Sequence, residues 1–260
     1  MNRRKFLTLA GAAAALALAG DKTFESFSTV AKASSTAKKG AKRWAMAIDM
    51  RQMASHPQLI DAAIKACNVV HNVPCIKHEK GEIKWIWKED YHHAFIEQEN
   101  HNLPDKIQHM PVLLLCNHCD DPPCVSVCPT KATWRRDEDG IVMMDWHRCI
   151  GCRYCMAACP YGSRSFNWED PRPYTKNIHD RFPTREKGVV EKCTFCAERI
   201  VDGKYTRPPA CVEACKALGS NAMVFGDLND PNSEVSKCLS EHYTIRRKPE
   251  LGTHPEIYYI

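Results

Sequence analysis

Short apolar runs set between long polar stretches dominate this chain. Residues 44–50, 112–116, 141–145 and 222–225 each read as a short strand bounded by polar or turn-forming neighbours. Residues 133–136 and 141–144 flank Asp137-Glu138-Asp139-Gly140, a turn sequence that predicts a hairpin. Pro57 suits a first helical position, and Leu59, Ile60, Ala63, Ile64 and Cys67 then fall on one helical face. A mildly apolar stretch over 7–19 is shorter than the roughly 20 residues a bilayer helix needs, so no integral membrane segment is expected. The rest is loop-rich, and the pattern as a whole predicts an α+β fold with short strands and helices.

With 260 residues, 44% hydrophobic and 26% charged, the chain has an ordinary globular composition and room for one large or two small domains. The abnormal figure is 15 cysteines, far more than a chain of this size carries without a use for them. Formal net charge is +5. Residues 1–33 hold Arg3, Arg4, Lys5, Lys22 and Lys32 against Asp21 and Glu25, so +3 of the total sits there and the remainder carries only +2. That is too weak a bias to argue for a nucleic-acid partner.

The N-terminus reads as an address. Arg3-Arg4 precede Phe6-Leu7 and the short apolar stretch, and Ala31-Lys32-Ala33 offers an A-x-A cleavage site. The order Arg-Arg-x-Phe-Leu resembles the twin-arginine export signal, which implies a periplasmic protein exported already folded around its cofactors. Either the leader is cut or it stays as an anchor. Residues 34–43 follow as a flexible linker.

From Cys149 the chain reads CIGCRYCMAACP, placing Cys149, Cys152, Cys155 and Cys159 in the C-x2-C-x2-C-x3-C-P series of bacterial ferredoxins. Three thiolates on a tight loop hold one 4Fe-4S cubane, Gly151 letting the backbone approach its sulfides, and the fourth points at a second cluster. Upstream, Cys116, Cys119, Cys124 and Cys128 repeat the frame with a two-residue insertion. Crossing the fourth ligands groups Cys116, Cys119, Cys124 and Cys159 around one cluster, and Cys149, Cys152, Cys155 and Cys128 around another. Downstream come Cys193, Cys196, Cys211 and Cys215. The segments trailing all three runs also align, the mark of duplicated units.

Zinc knuckles use paired C-x2-C, and a disulfide framework uses neither triple runs nor trailing prolines, so both are disfavoured. No nucleotide-binding, haem-attachment, radical or hydrolase motif is present in the sequence. His92, His93, His101 and His109 lie in a polar, helical-looking stretch and read as surface or interface residues ahead of metal ligands. Arg153, Lys192 and Arg199 flank cysteines; each either offsets cluster charge or is an ordinary solvated cation.

The stretches LCNHCDDPPCVSVCPTKATW, CIGCRYCMAACPYG, EKCTFCAERI, PPACVEAC and FGDLNDPNSEVSK resemble the ferredoxin-like electron-transfer subunits of respiratory membrane complexes, including those of polysulfide reductase, dimethyl sulfoxide reductase and formate dehydrogenase. The resemblance covers residues from about 44 to the C-terminus. It implies two ferredoxin-like modules, the second and third cysteine motifs forming one and the first and fourth the other. The resulting division is a leader (1–33), a linker (34–43), half of the outer module (44–110), a two-cluster module (111–170), the fourth motif completing the outer module (171–230) and a tail (231–260).

The first motif departs from the family pattern. Its tail CNVVHNVP keeps Cys67, but the three earlier ligand positions are Pro57, Ile60 and Ala63, none able to bind iron. The resemblance therefore implies three 4Fe-4S clusters, the third held by Cys193, Cys196, Cys211 and Cys67, with Cys75, Cys215 and Cys238 as free thiols. The competing arrangement closes the third cluster with Cys215 and leaves Cys67 idle. A leader, a degenerate first motif and the ending KPELGTHPEIYYI resemble most the DsrO type, found in the complex associated with dissimilatory sulfite reduction. That implies a non-enzymatic relay between a multihaem cytochrome c and a quinone-handling, NrfD-type membrane protein, among the other subunits of a membrane redox complex. The alternative is the electron-transfer subunit of an exported molybdopterin oxidoreductase or hydrogenase.

Overall fold

The structure is a computed structural model that describes residues 41–260 apart from 99 and 202, so the expected leader and most of the expected linker lie outside the described residues. In chain order the elements are β1 (Trp44–Ile48), α1 (Met50–Ser55), α2 (Pro57–Val70), β2 (Ile86–Asp90), α3 (Tyr91–Ala94), α4 (Asp105–Gln108), β3 (Pro111–Leu115) and α5 (Pro123–Ser126). Then follow β4 (Thr133–Arg135), β5 (Val142–Met144), α6 (Tyr154–Ala158), β6 (Ser165–Phe166), β7 (Val190–Glu191), β8 (Ile200–Val201) and β9 (Lys204–Tyr205). The chain closes with α7 (Ala210–Ala217), β10 (Met223–Asp227), α8 (Glu234–Glu241) and β11 (Ile257–Tyr259). Short helices mix with small sheets, an α+β fold. Among the described residues no helix is long and apolar enough to cross a membrane.

The first strand stops at Ile48, earlier than its apolar pattern suggests, because the Asp49 carboxylate accepts from the Gln52 N–H at 2.9 Å and caps α1. β1 is the centre of a three-stranded sheet, antiparallel to β10 (Met46 opposite Phe225) and parallel to β11 (Met46 opposite Ile257). Both α8 and β11 fall within the segment read as a tail. The hairpin forms as its turn sequence predicts: the Arg136 N–H donates to the Ile141 carbonyl and the Gly140 N–H to that of Arg136, with Gly140 at φ +75°. α2 starts at Pro57, buries Leu59, Ile60, Ala63 and Cys67, and leaves Ile64 partly covered. That face packs against α7, which buries Ala210, Cys211, Val212 and Cys215.

Two acid–base contacts, each made by a buried carboxylate, help tie the fold together. Arg185 and Glu191, both without side-chain exposure, pair at 2.7 Å, and Glu191 also accepts from Trp85 Nε1 and Asn167 Nδ2. Arg185→Ala leaves the Glu191 charge unpaired in the core. It is expected to cost about 3–5 kcal/mol, read as a lower denaturation midpoint than wild type.

In the second contact, Arg43 Nε donates to Glu256 Oε1 at 2.6 Å, while Lys42 pairs with Asp227, which anchors the end of the expected linker. Burial pushes the Glu256 carboxyl up to about 7, with Arg43 pulling the other way. A folded value above the ordinary 4.5 means the folded state binds the proton more tightly. The stability gained is full below about 4.5 and is lost as pH rises through about 7. Glu256→Gln is expected to flatten this slope, measured as melting temperature against pH in wild type and variant.

Candidate metal centres

The cysteines gather in three places. Cys116 follows β3, Cys119 lies in the next loop, Cys124 is on α5 and Cys159 caps α6; all four line one cavity together with Asn117 and Arg164. A second cavity is lined by Cys128, Cys149, Cys152 and Cys155, with Thr133 and Met144. The crossing has a local cause. Helices α5 and α6 pack against each other; the third cysteine of each run lies in its helix and faces one cavity, while the fourth, just past the helix end, faces the other. Around Cys128, backbone N–H groups of Thr130, Ala132 and Thr133 and the Thr130 hydroxyl outweigh burial and hold its thiol below the ordinary value.

The third group lies where α2 meets α7. Burial first, and then the facing thiols of Cys193, Cys196 and Cys211, push the Cys67 thiol well up. The Phe195 N–H donates to Cys193 Sγ at 3.4 Å and the Ala210 N–H to Cys196 Sγ at 3.3 Å. Cys211 is pushed up to about 12 by burial and by Cys215. Cys215 is different: burial alone raises it, to about 11, and its Sγ donates to the Leu59 carbonyl oxygen at 3.8 Å. Its surroundings are the apolar face of α2, where Ile60 and Ala63 occupy two of the three positions lacking a thiol. The remaining cysteines are scattered, Cys75 exposed and Cys238 on α8, packed with Ala45 and Ala47 of β1 and Val224 of β10.

The repeat seen in the sequence is also a repeat of backbone. The residue just before the second cysteine of each run is left-handed: His118 at φ 42°, Gly151 at 69° and Phe195 at 54°. Only one of the three is glycine, and its constraint is visible, since a Cβ on Gly151 would meet the Gly188 carbonyl oxygen at 2.4 Å. The equivalent residues His118 and Phe195 stack on each other, ring centroids 3.8 Å apart, which brings the first and third groups side by side.

Several residues around these groups carry no motif. Arg164, 5% exposed, donates through Nη2 to Cys124 Sγ at 3.1 Å and to Thr133 Oγ1 at 2.9 Å. Burial works against its charge, and the thiols of Cys124, Cys155 and Cys116 outweigh that. His71 is buried against Trp85 and Phe182; its Nδ1 lies 3.5 Å from Cys67 Sγ and its Nε2 3.0 Å from Glu198 Oε1. Of the three cations flanking cysteines, Lys192 is fully buried, donating to the carbonyls of Val142 and Cys193. Burial pushes its ammonium down while Cys116 and Cys193 act against that. Arg199 is engaged by Glu213 at 2.9 Å, and Arg153 is exposed over the rings of Trp168 and Phe166. His92 is half-buried and His93, His101 and His109 are exposed, with His93 and His109 beside Glu89 and Asp90.

Four converging thiols in each cavity make an all-sulfur donor set, which suits iron–sulfur clusters or zinc and excludes hard, oxygen-preferring cations. Donors are also in place for sulfide. Asn117, 1% exposed, lines the first cavity with both amide atoms unpartnered, and the buried Thr194 hydroxyl between Cys193 and Cys196 is unpartnered too. The residues present fit cubane clusters.

A family model described as a 4Fe-4S dicluster domain matches residues 107–176, the stretch carrying both four-cysteine cavities. The chain is 43% identical to the Hdr-like menaquinol oxidoreductase iron-sulfur subunit 1 of Archaeoglobus fulgidus, across 100% of its own length and 97% of that protein. It is 34% identical to the menaquinone reductase iron-sulfur cluster-binding subunit of Nitratidesulfovibrio vulgaris, covering 84% of this chain and 88% of the relative. Protein NrfC of Escherichia coli is 42% identical over 56% of this chain and 55% of its own.

Proposed function

Because the chain belongs to the family of iron–sulfur electron-transfer subunits represented in the Hdr-like menaquinol oxidoreductase and menaquinone reductase, we propose that it is a three-cluster wire of a quinone-linked respiratory complex. The observation that carries this is the pair of four-cysteine cavities, each taking three thiols from one run and one from the other. In the proposal Cys116, Cys119, Cys124 and Cys159 hold a central cluster. Cys128, Cys149, Cys152 and Cys155 hold a second, and Cys67, Cys193, Cys196 and Cys211 a third. The clusters supply reversible one-electron uptake when bound.

The chain's own part is electrostatic and steric. N–H groups at Cys128, Cys193 and Cys196 stabilise thiolate charge, and Trp85 and Phe182 keep water from His71 beside Cys67. The surroundings of the second cavity are the most open, since Cys128, Cys149 and Cys152 are only half-buried and Ile150 and Tyr154 stand exposed beside them. Purified anaerobically, the protein is expected to carry iron for three cubanes and a visible absorption that bleaches on dithionite. Zinc in place of iron, or a colourless chain, would sink the reading.

The partners we propose are an NrfD-type membrane subunit and a multihaem cytochrome c. The complex is of the DsrO type associated with sulfite reduction, and the location is periplasmic. The Arg3-Arg4 leader, the degenerate first motif and the C-terminal ending support this. Subunit composition of the complex purified from its native membrane decides the partners, a molybdopterin or hydrogenase subunit pointing to the alternative. Changing Arg3 and Arg4 to Lys is expected to strand loaded protein in the cytoplasm; normal export of the double variant overturns the twin-arginine assignment.

A further inference from the structure

The three cysteine groups form a row, and a buried cation stands at each junction. Arg164 lines the cavity of Cys116, Cys119, Cys124 and Cys159 and bonds Cys124 Sγ at 3.1 Å. Its other contacts, Thr133 Oγ1 at 2.9 Å and Met144 Sδ at 3.8 Å, belong to residues lining the cavity of Cys128, Cys149, Cys152 and Cys155. Lys192 spans the opposite junction. Its ammonium bonds the carbonyl of Val142, which lines the central cavity, and the carbonyl of Cys193 in the third group at 2.7 Å. Arg164 makes its contacts at Cys124, Thr133 and Met144, on the side of the second cavity, and Lys192 makes its own at Val142 and Cys193, on the side of the third group. Each outer group therefore has one of the two cations, and the central group has both.

A fixed positive charge in a site shielded from water stabilises the reduced, more negative state of a cluster. Resting on the three-cluster reading above, we propose that Arg164 and Lys192 make the central cluster the most easily reduced of the three, so that an electron entering from either end settles in the middle of the wire. Both residues are positioning residues: they act on the charge state of the cluster, and neither is an iron ligand.

The test is a potentiometric titration followed by electron paramagnetic resonance on the full-length, iron-loaded protein, comparing wild type with Lys192→Gln and Arg164→Gln. Each variant is expected to lower the reduced-to-oxidised ratio of two transitions about tenfold at fixed ambient potential, equivalent to about 59 mV for a one-electron couple. Only one transition should move in both variants, and it should be the highest-potential one in wild type. Arg164→Lys, which keeps the charge, should restore it. The proposal is overturned if no transition moves in both variants, or if the shared one is not the highest. Iron content separates this from failure of the cluster reading, because a protein without cubanes shows no transition to move. If a Gln variant fails to load iron, wild type alone decides. The first cluster reduced should have its resonance broadened as each of the other two takes an electron, which only a central cluster allows; a first signal unchanged by one of those steps overturns the proposal.

Discussion

Cys67→Ala is expected to leave the protein with about two-thirds of its iron, whereas Cys215→Ala keeps the wild-type content. The two cysteines compete for one role, and their surroundings differ. Cys67 faces Cys193, Cys196 and Cys211 from the end of the buried face of α2, and each of those thiols adds to the rise of its own. Cys215 is as deeply buried but points the other way, at the Leu59 carbonyl, among Ile60 and Ala63. A thiol there behaves as a small apolar side chain. Cys215→Ala removes one sulfur from a packed site, so a modest loss of melting temperature accompanies unchanged iron. Metal analysis and visible absorption of the two purified variants decide the matter, and the reverse result would move the third cluster to Cys215.

Cys159→Ala is expected to have the larger functional effect, because it empties the central position of the row. Cys159 belongs by sequence to the run at 149–159 but lines the cavity of Cys116, Cys119 and Cys124. The variant should lose the central cluster's signal and about one-third of the iron, while the cluster at Cys128, Cys149, Cys152 and Cys155 remains. With the middle of the row gone, transfer between the two ends should be abolished even though both end clusters still reduce with dithionite. Magnetic resonance of the reduced variant, followed by stopped-flow reduction with an artificial donor, reads both outcomes. A loss confined to the cluster at Cys149 would mean that the runs close on themselves.

Local chemistry made much of this legible in advance. The α2 helix follows from Pro57 and an apolar spacing of three and four, and the β4–β5 hairpin from a turn ending in Gly140. Four-residue frames around Cys116 and Cys149 announce their loops because thiol spacing restricts how a short segment can converge on one point. Elements with weaker local marks were missed. β11 is a three-residue strand made by parallel pairing with β1, whose Met46 sits beside Ile257 from the far end of the chain. α8 carries its signal in Ser233, whose hydroxyl accepts from the Ser236 N–H at 3.1 Å, a single capping residue ahead of a helix with little apolar content. The strand expected over 44–50 ends at Ile48 for the same kind of reason: Asp49 caps a helix.

By itself, then, the order of residues settled the number of thiols, the spacing that groups them and the α+β class. These are properties of neighbouring residues, set by backbone reach and helical or strand period. Tertiary structure decided which side chains are out of water. Lys192 and Arg199 flank cysteines alike, yet Lys192 lies between two thiol groups and Arg199 is held by Glu213. Arg164 has no motif and becomes a junction between two cavities. Arg185 and Glu191, ordinary charges in the sequence, form the fully buried pair. Burial depends on contacts summed from segments far apart in the chain, and a charge acquires its strength only where those segments exclude water, so no local pattern encodes it.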